Sequence, residues 1–226
     1  MYEFNEGKVV RNDDSTINYT WIHGKEKNNG ICIMLPGLGY TTQRPLFHYA
    51  TGICMNENVD LLHVNYNYLE NEAFKKLEHH AQDQWIYEDV VSVVETVLKD
   101  TEYGMYFILS KSIGTIPMAY EWNRKNFIDV NRTYGIWLTP LIKDETVCNA
   151  LSKIVIPSLY VIGTDDPHYK ENLIADINKN SNVKGLVIPN ANHGLEVKGD
   201  VKTTINIVKE VMNTIEKFIK EYKGRD

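Results

Sequence analysis

The order of apolar and amphipathic segments predicts an α/β fold: a mostly parallel, helix-flanked, twisted sheet of about eight strands with an antiparallel hairpin at its N-terminus. Three observations carry this. Short continuous apolar runs such as GICIML and MYFIL have the form of central strands buried on both faces, as in a parallel sheet. Longer segments with apolar residues every three or four positions alternate with them, as crossover helices do. The opening residues differ, with two strand-like pieces joined by a polar connector.

Each element follows in chain order. EFNEGKVV and TINYTWIHG form the hairpin, joined by Arg-Asn-Asp-Asp-Ser. GICIMLPG is a central strand closed by Pro36-Gly37, and Leu46, Phe47, Ala50, Ile53 and Cys54 then fall at helical spacing. VDLLHVNY is the next strand. The stretch 65–80 is polar and tyrosine-bearing, without a clear period, until Ile86, Val90, Val93 and Val97 mark one face of a helix. MYFILS is a strand and 113–126 a helix. TYGIWLTP is a strand and 145–152 a short helix. SLYVIGTDD and VKGLVIPNANH are the last strands, and Ile205, Val208, Met212, Ile215 and Ile219 line a closing amphipathic helix. No repeat, linker or low-complexity stretch divides the 226 residues, so one domain is expected over 1–226.

A net charge of -6 and the lack of a lysine or arginine run exclude a nucleic-acid binder that works by neutralising phosphates. No apolar stretch is long enough to span a membrane, and MYEFNEGKVV has no basic region followed by an apolar core. Cys32, Cys54 and Cys148 form no CxxC pair, and the first two sit in apolar patterns as buried free thiols. A reduced, cytoplasmic protein is the expectation. His79 and Asp83 share a helix face, but without a third ligand they read as a solvated helix start.

The stretch FILSKSIGT raises the chemical question. A buried strand ends on Ser110-Lys111-Ser112 and turns at once into a helix, with Gly114 two residues beyond Ser112. A strained strand-to-helix turn flanked by small residues holds a serine out as a nucleophile. The same letters also fit an ordinary tight turn. Two later strand ends add to the first reading: Gly163-Thr164-Asp165-Asp166-Pro167 and Asn190-Ala191-Asn192-His193-Gly194. In an open parallel sheet the residues just past the strands' carboxyl ends converge on one edge. A hydroxyl needs a base to take its proton, and the imidazole needs a carboxylate to orient it. Ser112, an aspartate and His193 occur in that order. Asp165 and Asp166 also fit a helix cap, and the Gly-x-x-Asp-Pro spacing favours Asp166 as the acid over Asp165 and Asp144. Lys111 reads as ion-paired or solvated beside the turn.

With LPGLG at 35–39, SKSIG at 110–114, GTDDP at 163–167 and NHG at 192–194, nearly the whole chain resembles the α/β-hydrolase superfamily. Ser110 departs from that pattern, standing where the family usually has glycine. The resemblance implies Ser112 as nucleophile, Asp166 as acid, His193 as base, and the backbone N–H groups of Leu38 and Ile113 as an oxyanion hole. It implies no metal and no organic cofactor. The partner it implies is a small-molecule acyl substrate, cleaved by a carboxylesterase-like serine hydrolase. A peptidase or thioesterase with the same residues, or a silent binding protein of the same fold, are the alternatives. About 16 residues separate Ile142 from Leu159, which leaves no room for a lid. Tyr40, Trp137, His168, Tyr169, Leu195 and the 65–80 segment, with Tyr66, Tyr68 and Phe74, are placed to line a pocket.

Overall fold

A computed structural model describes residues 1–12, 14–26, 28–124 and 129–224. Eight strands form one sheet: β1 (Tyr2–Asn12), β2 (Ser15–Gly24), β3 (Gly30–Leu35), β4 (Val59–Asn65), β5 (Met105–Lys111), β6 (Thr133–Leu138), β7 (Ser158–Gly163) and β8 (Val183–Ile188). Their spatial order is β1-β2-β4-β3-β5-β6-β7-β8. β1 and β2 pair antiparallel, β2 meets β4 antiparallel, and every later pairing is parallel. The expected hairpin and parallel sheet are therefore both present. Asp13 of the hairpin connector and Asn126 at the expected end of a helix lie outside the described residues.

Strand alternation divides the core into two layers. Ile31, Ile33, Leu35, Ile108, Trp137 and Tyr160 face one side of the sheet, beneath α3 (His79–Leu98), α4 (Thr115–Arg124), α5 (Glu145–Lys153) and α6 (Glu171–Ile177). Cys32, Met34, Phe107, Leu109, Ile136 and Leu138 face the other, beneath α1 (Pro45–Asn56) and α7 (Val201–Lys223). A four-residue helix, α2 (Glu72–Lys75), lies in the stretch without clear period, capped by the Asn71 side chain. Neither α2 nor α6 was expected from the periodicity.

The stretch before α2 differs from expectation in a second way. Tyr66 and Tyr68 help line a cavity beside Leu38, as expected, but most of each ring is buried: with Phe74 they stack in series at centroid distances of 4.8 and 4.4 Å, with Trp85 edge-on to Phe74. Their polar neighbours disguise an aromatic wedge that joins this segment to the core under α3. Cys32 and Cys54 are buried free thiols, and Cys148 is free and half-buried. Among the described residues no helix is long and apolar enough to cross a membrane.

Candidate active site

At the carboxyl edge of the sheet, β5 ends and Ser112 begins a 3₁₀ turn, Ser112–Gly114, that leads into α4. Ser112 has φ +52°, a backbone region that L-residues enter at a cost and keep where the surroundings enforce it. Close approach of strand and helix enforces it here. A Cβ on Gly114 would collide with the Leu35 carbonyl, so only glycine lets the turn pass β3. Ser110, standing where glycine was expected, is buried and turns its hydroxyl away, within 3.3 Å of both the Ile136 carbonyl and the Met118 sulfur.

Two loops bring partners to Ser112. His193 Nε2 lies 2.8 Å from Ser112 Oγ, and His193 Nδ1 lies 2.7 Å from Asp166 Oδ2. Asp166 Oδ1 accepts from the His168 N–H at 2.8 Å. Burial by itself would raise the Asp166 carboxyl; the hydrogen bonds from His193 and His168, with the charge of the nearby imidazoles, outweigh it and hold the group below the usual carboxylate value. It is ionised at neutral pH. Asp165 is exposed and contacts Thr164, while Asp144 caps α5 by accepting from the N–H groups of Thr146 and Val147. Of the three aspartates weighed, Asp166 meets the histidine.

The loop after β3 forms the facing wall. Gly37 and Tyr40 exchange backbone hydrogen bonds of 3.2 and 3.1 Å across a tight turn, with Gly39 at φ +71°. Leu38 sits at the tip, 48% exposed, and its N–H makes no hydrogen bond among the described residues. The Ile113 N–H lies in the first turn of a helix, where backbone donors lack intrahelical acceptors. Tyr66 donates its hydroxyl hydrogen to the Pro36 carbonyl and braces this loop from below. A cavity of about 320 Å³ adjoins it, lined by Leu38, Gly39, Thr41, Tyr66, Asn67 and Leu69.

The remaining expected pocket residues divide. His168 is half-buried with its ring centroid 5.5 Å from that of His193, and burial lowers its pKa. Tyr169 is half-buried and packs against the core below α6. Tyr40 is half-buried, its hydroxyl accepting from the Leu46 N–H at 3.2 Å. Trp137 and Leu195 are fully buried in the core. Trp137 lies one residue before the end of β6, and its strand parity turns it into the layer beneath α4 and α5. Leu195, at φ +60°, points into the opposite layer with the α1 and α7 residues and anchors the histidine loop there.

Lys111 departs most from expectation. It is 1% exposed and, among the described residues, makes no ion pair. Its Nζ donates to Thr139 Oγ1 at 2.8 Å and to the His193 carbonyl at 2.7 Å, and it faces the Tyr40 ring at 4.8 Å. Burial pushes its pKa down to about 8 against the opposing pull of the Asp166 and Glu196 carboxylates. No sequence signal marked it, because its burial depends on where the loop after β8 crosses the end of β5.

A model of the alpha/beta hydrolase domain family matches residues 29–220. No curated protein sequence matches the chain. Among solved structures the chain is similar to a protein of unknown function from Agrobacterium tumefaciens described as an alpha/beta hydrolase, at 15% identity and TM-score 0.74, covering 98% of each chain. It is similar to an esterase from Pyrococcus furiosus at 14% identity and TM-score 0.71, covering 97% of this chain and 93% of that one. A serine hydrolase without lid from Xanthomonas campestris aligns at 10% identity and TM-score 0.71, covering 97% and 95%.

Proposed function

The chain belongs to the alpha/beta hydrolase domain family, and we propose that it is a serine hydrolase cleaving a small carboxylic ester, or a similar acyl compound, through an acyl-enzyme on Ser112. The observation that carries this reading is the unbroken line of hydrogen bonds from Ser112 Oγ through His193 to a buried, ionised Asp166. A binding protein of this fold has no use for a strained serine aimed at an imidazole.

The chemistry follows from the atoms present. Ser112 Oγ attacks the carbonyl carbon while His193 Nε2 takes its proton, and Asp166 fixes the tautomer and supports the imidazolium. The carbonyl oxygen becomes an oxyanion that accepts from the Leu38 and Ile113 N–H groups. His193 returns its proton to the departing alkoxide, leaving the acyl group on Ser112. Water, deprotonated by His193, attacks that ester, and the acid leaves as Ser112 regains its proton. The exposed tip of the Leu38 loop and the modest cavity beside it favour a short acyl group.

The test is labelling with a fluorophosphonate, which reacts fast only with an activated serine. Wild-type protein is expected to label stoichiometrically and Ser112→Ala not at all. Labelling that persists in Ser112→Ala and disappears in Ser110→Ala would reverse the assignment. A protein that labels but turns over no acyl ester would move the substrate class to amides or thioesters.

A further inference from the structure

The geometry points to Lys111 as a positioning residue whose protonated ammonium holds the histidine loop in register with Ser112, making the site sensitive to alkaline pH; this rests on the serine-hydrolase reading. Lys111 ends β5 one residue before the nucleophile, and its side chain runs beneath the site instead of into solvent. Three loops converge on its Nζ. The loop after β6 offers the Thr139 hydroxyl, at 2.8 Å. The loop after β8 offers the His193 carbonyl itself, at 2.7 Å. The loop after β3 offers the face of Tyr40, at 4.8 Å. An ammonium has three donors, and these three neighbours account for them.

The tie matters because of where it is made. His193 must reach Ser112 with one nitrogen and Asp166 with the other, so its backbone has little freedom. Leu195 pins the loop on the far side by burying itself under α1 and α7. On the near side, Lys111 bonds the carbonyl of the histidine. The element that presents the nucleophile and the element that presents the base are thus joined by a single charge-assisted hydrogen bond, independent of the Ser112–His193 contact.

The titratable groups around this ammonium are Asp166 on the loop after β7, His193 and Glu196 on the loop after β8, and Tyr40 on the loop after β3. The two carboxylates favour the charged form but stand beyond ion-pair reach, and burial outweighs them, so the proton leaves near pH 8. A neutral amine keeps two N–H groups. Deprotonation therefore weakens the tie without severing it: the bond to the His193 carbonyl loses charge assistance and the Tyr40 ring loses its cation.

The experiment measures the rate of fluorophosphonate labelling, and kcat/KM for a short ester, from about pH 6 to about pH 9.5, with near-ultraviolet circular dichroism confirming the fold at each pH. Wild-type rates are expected to fall above about pH 8, as the Lys111 ammonium loses its charge, with KM steady because Lys111 does not touch substrate. Lys111→Met is expected to label about tenfold to a hundredfold more slowly at neutral pH and to lack the alkaline fall. Thr139→Val keeps the charge but removes one oxygen acceptor, so its alkaline fall moves to lower pH. If Lys111→Met does not fold, wild type and Thr139→Val still decide. Labelling at neutral pH with a rate that stays flat to about pH 9.5, or wild-type labelling by Lys111→Met, would overturn the role of Lys111 alone. No labelling at any pH would overturn the serine-hydrolase reading and the Lys111 role with it.

Discussion

Asp89 on α3 and Lys111 at the end of β5 are both buried ionisable residues, and the fold treats them in opposite ways. Around Asp89 the charge is met directly: Arg11 Nε lies 2.6 Å away, and Ser15 and Tyr68 donate hydroxyls at 2.5 and 3.0 Å. Arg11 is itself shared with Glu88 at 2.6 Å and rests on the Trp85 ring. Around Lys111 only neutral groups, among the described residues, stand within hydrogen-bond reach, and the carboxylates of Asp166 and Glu196 act from a distance. A charge whose purpose is to join β1, β2 and α3 is neutralised on the spot. The charge beneath the proposed active site is left incompletely compensated, at a cost to stability, and Asp166 is engaged with His193 instead.

That contrast predicts that substitutions at the sheet's carboxyl edge strike turnover and spare the fold, while those around Asp89 do the reverse. The largest effect belongs to Ser112. Ser112→Ala should lower ester turnover by roughly four to six orders of magnitude with its melting temperature kept. Ser110→Ala, whose hydroxyl faces Ile136 and Met118, should keep most activity. Equal losses in the two variants, measured as kcat/KM, would remove the distinction between nucleophile and packing serine.

Asp166→Asn comes next. It should cost about ten-thousandfold in kcat, through loss of imidazole orientation and charge support, with little change in melting temperature. Asp165→Asn should be mild, since that carboxylate is exposed and touches only Thr164 among the described residues. A costly Asp165→Asn beside a mild Asp166→Asn would mean that the two exchange places in solution.

The stability comparison is sharper still. Arg11→Met strands Asp89 without its cation and should destabilise by about 3 kcal/mol, read from denaturant unfolding, while kcat/KM well below the transition changes little. Lys111→Met should do the opposite, keeping or raising stability at neutral pH. The sign follows from linkage. The native lysine value of about 8 lies below the ordinary 10.5, so below pH 8 both states carry the proton and the folded state bears the full cost of the buried charge. As pH rises from about 8 towards 10.5 the native state releases its proton first and gains stability, by about 3 kcal/mol in total. Activity should fall over the same range in which this contribution to stability rises. A melting temperature that drops by several degrees in Lys111→Met would make Lys111 a structural charge like Arg11.

Much of this arrangement was legible before the structure. The sheet was readable because strands buried on both faces must be continuously apolar, and the positions of Ser112, Asp166 and His193 because each follows such a run. What escaped depended on three-dimensional crossings. Trp137 and Leu195 stand near the right edge in sequence, but strand parity turns one inward and a positive-φ loop residue buries the other. Tyr66, Tyr68 and Phe74 lie among polar neighbours, so nothing in their spacing marked a buried stack. Lysine is by type a surface residue, and only the path of the loop after β8 over the end of β5 encloses Lys111. α6, seven residues long, is too short for its periodicity to stand out.

The smallest predicted effect tests what the site's walls can hold. With Trp137 and Leu195 withdrawn into the core and the Tyr66–Tyr68–Phe74 rings largely buried in a stack that shows only part of Tyr66 and Tyr68 to the cavity, few apolar side chains among the described residues are left in the open near the proposed nucleophile. Leu38 and Leu69, 48% and 50% exposed, flank the cavity of about 320 Å³ beside the loop after β3. Asn67 and Thr41 make its remaining wall partly polar. Each fully buried methylene contributes about 0.8 kcal/mol, so a tunnel that enclosed the six methylenes by which decanoate exceeds butyrate would add roughly 5 kcal/mol, more than a thousandfold in kcat/KM. A rim of this size encloses a short acyl group and leaves the rest in water, where added methylenes gain little. p-Nitrophenyl acetate or butyrate should therefore be hydrolysed with higher kcat/KM than the decanoate or palmitate, with all substrates kept below their micellar concentration. Leu38→Ala and Leu69→Ala should each reduce the preference for butyrate over acetate by a few-fold at most, since half of each side chain is already wet. A steady rise in kcat/KM through ten carbons would require longer apolar walls than the cavity beside Leu38 and Leu69 offers, and would place the acyl chain elsewhere.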